Sequence, residues 1–124
     1  MLQMIRDSAQ SQDQQPRNGT RFMQCRLPVA SYEWLRLRAF VNRTSMNSIV
    51  LEAIADLQRE APDLDTPLTL PMISGTSSGI KFNVRLEGAT YEWLRTKAFT
   101  SRGSINQLLI AALDLYRQHV EAKP

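Results

Sequence analysis

The 124 residues include one cysteine, Cys25, and one histidine, His119. A single thiol excludes an intramolecular disulfide framework and a zinc site built on cysteines, and a reducing cytoplasm is the expected setting. A lone imidazole has no second histidine with which to share a metal. There is also no glycine-rich phosphate loop and no nucleophile beside a plausible base. The chain therefore reads as a non-enzyme that needs no cofactor. No apolar run approaches membrane-spanning length, and the N-terminus lacks the basic-then-apolar order of a secretory signal, so a soluble protein without membrane contact is expected. Neither sign of charge dominates: fifteen Lys and Arg against twelve Asp and Glu leave a net charge of +3 and a pI near 9.4. That balance permits a nucleic acid as partner without demanding one.

The chain does contain a repeat. Arg26 to Asn47 lies on Arg85 to Asn106 without a gap at a constant offset of 59. RLPVASYEWLRLRAFVNRTSMN faces RLEGATYEWLRTKAFTSRGSIN, sharing Arg-Leu, Tyr-Glu-Trp-Leu-Arg, Ala-Phe and Arg-x-Ser-x-Asn. Two copies of one unit are present.

Each copy opens on a period of two, the signature of a strand: Phe22 to Leu27, and Lys81 to Leu86. Met23, Cys25 and Leu27, like Phe82, Val84 and Leu86, belong to the core-facing phase. Phe22, Gln24, Arg26, Lys81, Asn83 and Arg85 then point outward, and only Phe22 among them is apolar. Next, Ser31 or Thr90 can cap a helix running to about Arg43 or Arg102, with Tyr32, Leu35 and Ala39 (Tyr91, Leu94, Ala98) as its apolar stripe. After a turn, Ser45 and Ser104 have the character of N-caps for a second helix. Ile49, Val50, Ala53, Ile54 and Leu57 recur there as Leu108, Leu109, Ala112, Leu113 and Tyr116.

The order strand, helix, helix therefore occurs twice, over 20–60 and 80–120. The proline-, glycine- and serine-bearing segment 61–79 reads as a linker, and 1–19 as a disordered polar tail with little to offer a core. A lone strand leaves its backbone groups and apolar face uncovered, so the two strands must pair. The expected fold is one globule, mainly α with a two-stranded antiparallel β-ribbon.

This pattern resembles the ribbon-helix-helix family of DNA-binding proteins, including the Arc-type repressors, over roughly 21–60 and 80–119. Arg26-Leu27-Pro28, the Leu35 to Ala39 spacing and Ser45-Met46-Asn47 carry the resemblance. The second copy matches except that Glu87 stands in place of the proline. The resemblance implies a tandem form in which the family's usual dimer becomes an intramolecular pseudo-dimer. It also implies a ribbon that enters the major groove of double-stranded DNA.

By that resemblance Phe22, Gln24, Arg26, Lys81, Asn83 and Arg85 would read base edges. The chemistry agrees: Arg and Lys suit guanine O6 and N7, Gln and Asn suit adenine, and Phe22 can only touch a thymine methyl or mark the ribbon's end. One arm reads with Phe-Gln-Arg and the other with Lys-Asn-Arg, so an asymmetric subsite is expected. The unpaired N–H groups opening the second helices put the turns Thr44, Ser45, Asn47 and Gly103, Ser104, Asn106 in position to clamp phosphates. Such contacts position rather than specify. Arg6 and Arg17 of the tail can add nonspecific phosphate contacts.

Plainer roles stand beside these. Arg26 and Arg85 can be solvated charges guarding a sheet, Ser45 and Ser104 ordinary caps, and Asn47 and Asn106 hydrogen-bonding groups within the fold. Trp34 and Trp93 can face neighbouring chains or pack within the molecule. Arg36 and Arg95 can meet phosphates or pair with Glu33, Glu52 or their counterparts. Cys25, in the inward phase, reads as a small core side chain, and His119 as a neighbour of a helix C-terminus.

The expected function is a transcriptional regulator, a repressor first, with several chains self-associating on adjacent DNA sites because one ribbon spans few base pairs. A TraY-like accessory factor of conjugative transfer is the alternative. An antitoxin is a third reading, with little chain left after the second helix to hold a toxin.

Overall fold

The computed structural model describes residues 19–71 and 79–122. The polar tail expected over 1–19, with Arg6 and Arg17, falls outside them apart from Gly19, as does 72–78 of the expected linker. The element order is β1 (Thr20–Leu27), α1 (Val29–Val41), α2 (Met46–Glu60), β2 (Ile80–Glu87), α3 (Gly88–Thr100) and α4 (Ile105–Ala122). The molecule is mainly helical, with β1 and β2 joined as one antiparallel two-stranded sheet. No helix among the described residues is long and apolar enough to cross a membrane.

The strand pattern sorts side chains as period two requires. Cys25, Leu27, Val84 and Leu86 are buried, and Met23 and Phe82 pack partly against the same core. Leu35 and Ala39 of α1 and Leu94 and Ala98 of α3 cover this face from their i, i+4 stripe. Helices α2 and α4 supply the remainder: Ile49, Val50, Ala53, Ile54 and Leu57 meet Leu108, Leu109, Ala112 and Leu113 in the most extensive helix–helix contact of the molecule. Each leucine side chain taken fully from water contributes about 1.5–3 kcal/mol. Because residues from both copies interleave here, neither repeat has a core of its own.

The first helices start earlier than their serine and threonine suggest. α1 begins at Val29 with Pro28 as N-cap residue, α3 at Gly88 with Glu87 in that place, and neither makes a side-chain cap. Ser31 and Thr90 thus lie inside their helices. Leu27 ends β1 and Leu86 is the penultimate residue of β2, both deep in the core, and the chain turns into helix within two residues of each.

The helices also stop two residues before Arg43 and Arg102, which take φ of 55° and 58°. The Thr44 and Gly103 N–H groups donate to the Ala39 and Ala98 carbonyls, and those of Arg43 and Arg102 to Phe40 and Phe99. This pair of bonds is the Schellman ending, in which a left-handed residue closes the helix.

Part of the expected linker is packed rather than free. Residues 61–71 form no helix or strand, but Leu68 and Leu70 rest on the core. Lys97 of α3 is fully buried and donates from Nζ to the carbonyls of Asp63 (2.5 Å) and Thr66 (2.6 Å). A lysine is almost never buried unless its charge is paired or hydrogen-bonded, and these carbonyls satisfy it. Asp63 orders the same turn by accepting from the Asp65 N–H and the Thr66 hydroxyl, bonds that hold its carboxyl below the ordinary value.

Candidate nucleic-acid interface

One face of the two-stranded ribbon is left uncovered by the helices. Its side chains are Phe22, Gln24, Lys81, Asn83 and Arg85, all exposed, and Arg26, half-buried. These are the six outward residues of the sequence pattern, and the strand register brings them together in three rows. Gln24 faces Asn83, Phe22 faces Arg85, and Arg26 faces Lys81. Phe22 is exposed, one of several large apolar side chains at the surface, with Phe40 and Phe99.

Asn47 and Asn106 hold the ribbon from outside. The Asn106 amide donates to the Arg26 carbonyl (2.9 Å) and its Oδ1 accepts from the Arg26 N–H (2.7 Å). Asn47 does the same for Arg85, at 3.1 Å and 2.8 Å. Each asparagine opens the second helix of one copy and grips the strand of the other. The backbone groups of Arg26 and Arg85 face the ribbon's free edges, where an unpaired N–H and C=O invite another strand. The carboxamides satisfy them and set the height at which both arginines emerge. The Asn47 and Asn106 side chains are therefore engaged within the fold, the plainer of the two roles the sequence allowed them.

The two turns beside the ribbon are not alike. At the first, Thr44 and Ser45 are exposed, and the Ser45 hydroxyl accepts from the Ser48 N–H at 3.0 Å. At the second, Ser104 caps in the same way, accepting from Gln107 N–H at 3.1 Å, while Gln107 Oε1 takes the Ser104 N–H at 2.9 Å. That reciprocal pair is a capping box. Gln107 also donates to the Pro71 carbonyl, and Leu70 occupies the space a Cβ on Gly103 would need. The chain after α2 thus covers Gly103, which leaves Ser104 more open to a phosphate than its neighbour.

Two residues outside the sequence-derived site flank these turns. Arg43 and Arg102 are exposed, lie just before the turns and adopt left-handed backbone that disfavours any side chain. Glycine or asparagine is the easier residue there. The signal was present in the sequence as the repeated Arg-x-Ser-x-Asn, whose arginine looked like a helix end.

Trp34 is half-buried and packs edge-on against Tyr116 at 6.2 Å, with the Arg117 guanidinium 5.5 Å from its ring centre. Trp93 is packed partly against the core. Arg36 pairs with Glu33 and Arg95 with Glu92, each three residues along its own helix. Cys25 is buried, and burial pushes its thiol up to about 11. His119 bonds through Nδ1 to the buried Asp56 carboxylate at 2.6 Å, which links α4 to α2. Among the described residues, no three of His, Cys, Asp or Glu are grouped to hold a metal ion.

No protein-family sequence model, no curated protein and no solved structure matches this chain.

Proposed function

We propose that the chain binds double-stranded DNA sequence-specifically, laying the outward face of the β1–β2 ribbon in the major groove, and that it works as a transcriptional regulator, a repressor first. The proposal includes an intramolecular pseudo-dimer of tandem ribbon-helix-helix type. The observation that carries it is the uncovered ribbon face: hydrogen-bonding and cationic side chains in three rows, on a backbone braced from both edges by Asn47 and Asn106. A two-stranded ribbon fits the width of the major groove, and these side-chain types match base edges there.

The cross-gripping asparagines, 59 residues apart and bonded to arginines 59 residues apart, support the pseudo-dimer. Phosphates on either side would meet Arg43, Thr44 and Ser45 at one turn and Arg102 and Ser104 at the other, with the serine-capped helix N-termini adding favourable dipoles. Self-association on adjacent sites belongs to the same proposal. Phe40 and Phe99, at matching positions and 79% and 83% exposed, are apolar surface that supports it.

The test is selection from randomised duplex DNA with the wild-type protein and with Arg26→Ala plus Arg85→Ala, followed by binding of the enriched sequence over a salt series. The expected result is a motif that the double variant loses while keeping salt-sensitive, nonspecific binding. Absence of any motif from the wild-type protein would overturn the proposal.

A further inference from the structure

We propose that the ribbon is a directional reader, with a guanine-seeking end at Arg26 and Lys81 and a thymine-methyl-seeking end at Phe22, so that one molecule sits on its subsite in a single orientation. This rests on the base-reading function proposed above.

The strand register is what creates the direction. The repeat relates Phe22 to Lys81, yet pairing sets Phe22 against Arg85 and Lys81 against Arg26. Beyond Phe22, the exposed Thr20 faces the exposed Glu87 on the same side of the sheet. One end therefore carries two cations, and the other carries one cation, one anion and a bare phenyl ring.

The two cations are a local conflict in the free protein. Because Asn106 takes both the N–H and the carbonyl of Arg26, the Arg26–Lys81 row is a non-hydrogen-bonded pair, the closer of the two kinds in an antiparallel ladder. Like charges directly opposite each other destabilise a sheet. The Arg26 guanidinium leans on the Gly79 carbonyl at 3.4 Å, which leaves Lys81 the more open of the two. A run of acceptors such as the O6 and N7 atoms of adjacent guanines relieves this conflict.

At the opposite end such a run would meet Glu87, and the ring of Phe22 offers no hydrogen bond. Phe22 gains by covering a thymine C5-methyl, and Glu87 can accept from cytosine N4 or disfavour acceptor-rich edges. The central Gln24–Asn83 row suits adenine. Turning the protein end for end on one subsite would set the phenyl and Glu87 against guanine acceptors, with Arg85 alone to meet them in place of the Arg26–Lys81 pair.

The experiment tethers an iron-chelate cleavage reagent to the protein and maps DNA cuts around the selected motif. Thr20→Cys supplies the attachment point at the Phe22 end, since the native Cys25 is buried. A second protein adds F22K, Q24N, K81F and N83Q, exchanging Phe22 and Lys81 between the ends, and E87Q, removing the anion that would otherwise remain at the first; all five side chains are exposed. The expected result is cutting on one flank, next to the thymine-bearing end, and on the opposite flank with the exchanged protein. Lys81→Ala should lower discrimination about five- to 150-fold at the guanine end alone. A clear motif with cuts on both flanks, or a palindromic motif, would overturn directionality while leaving base reading intact. Failure to select any motif would overturn base reading itself.

Discussion

Arg43 and Arg102 hold left-handed backbone at a cost of about 1–2 kcal/mol each, and a glycine in either place would carry no such strain. Arg43→Gly is therefore expected to raise stability by about 1 kcal/mol in urea denaturation, part of the relief being lost to the greater freedom of unfolded glycine. If the arginine meets a phosphate, the same change weakens binding about equally on all DNA sequences and reduces the salt slope by about one. Lower stability, or a change confined to one base position, would contradict this account. Tyr116 gives a second residue-scale test. Burial, and then its hydrogen bond to Glu52 at 2.7 Å, push its hydroxyl up to about 12. A raised phenol favours the folded state while neutral, so its contribution is complete below about pH 10 and declines as pH rises through 12. Tyr116→Phe should flatten that alkaline loss, followed by near-ultraviolet circular dichroism.

At the scale of elements, the ribbon depends on helices that follow it in the opposite copy. Asn106→Ala strands the Arg26 N–H and carbonyl at a sheet edge, and Asn47→Ala does the same to Arg85. Asn106→Ala, whose bonds are part-buried, is expected to cost about 1–3 kcal/mol and Asn47→Ala, at an exposed edge that water can reach, about 1 kcal/mol. On the proposed function both lower DNA affinity by loosening the arginine rather than removing it. Measuring stability and affinity together, with Asn→Asp as a variant that keeps the acceptor but loses the donor, separates that outcome from loss of a phosphate contact. The latter would leave stability unchanged. Lys97 ties α3 to the turn at 63–66, so Lys97→Ala leaves two carbonyls without their donor. A loss of about 2–3 kcal/mol is expected, with earlier proteolysis in 61–71. The caps of the second helices were legible in the sequence, because Ser45 and Ser104 act through bonds three residues long. The starts of the first helices were not, since Leu27 and Leu86 set them by sinking into the core.

Across the whole molecule, both copies share one core, in which α2 packs against α4; under the proposed pseudo-dimer this seam takes the place of one between separate subunits. With the partner supplied by the same chain, the melting temperature should not move over about a hundredfold range of protein concentration, whereas an obligate association of separate chains would raise it. A concentration-dependent Tm would show that assembly between chains contributes to the fold.

The sequence alone determined the elements and the sorting of their faces. Period-two and period-3.6 hydrophobicity follow from how far each residue turns the chain, and the offset of 59 made the second copy a check on the first. The outward six residues were readable for the same reason. Tertiary structure alone decided which of them share a row, that Asn47 and Asn106 face inward to the strands, and that Lys97 and Leu70 draw the connecting chain over Gly103. Those relations join residues some 30 to 80 positions apart. They depend on register and packing between elements, which a local pattern along the chain does not encode.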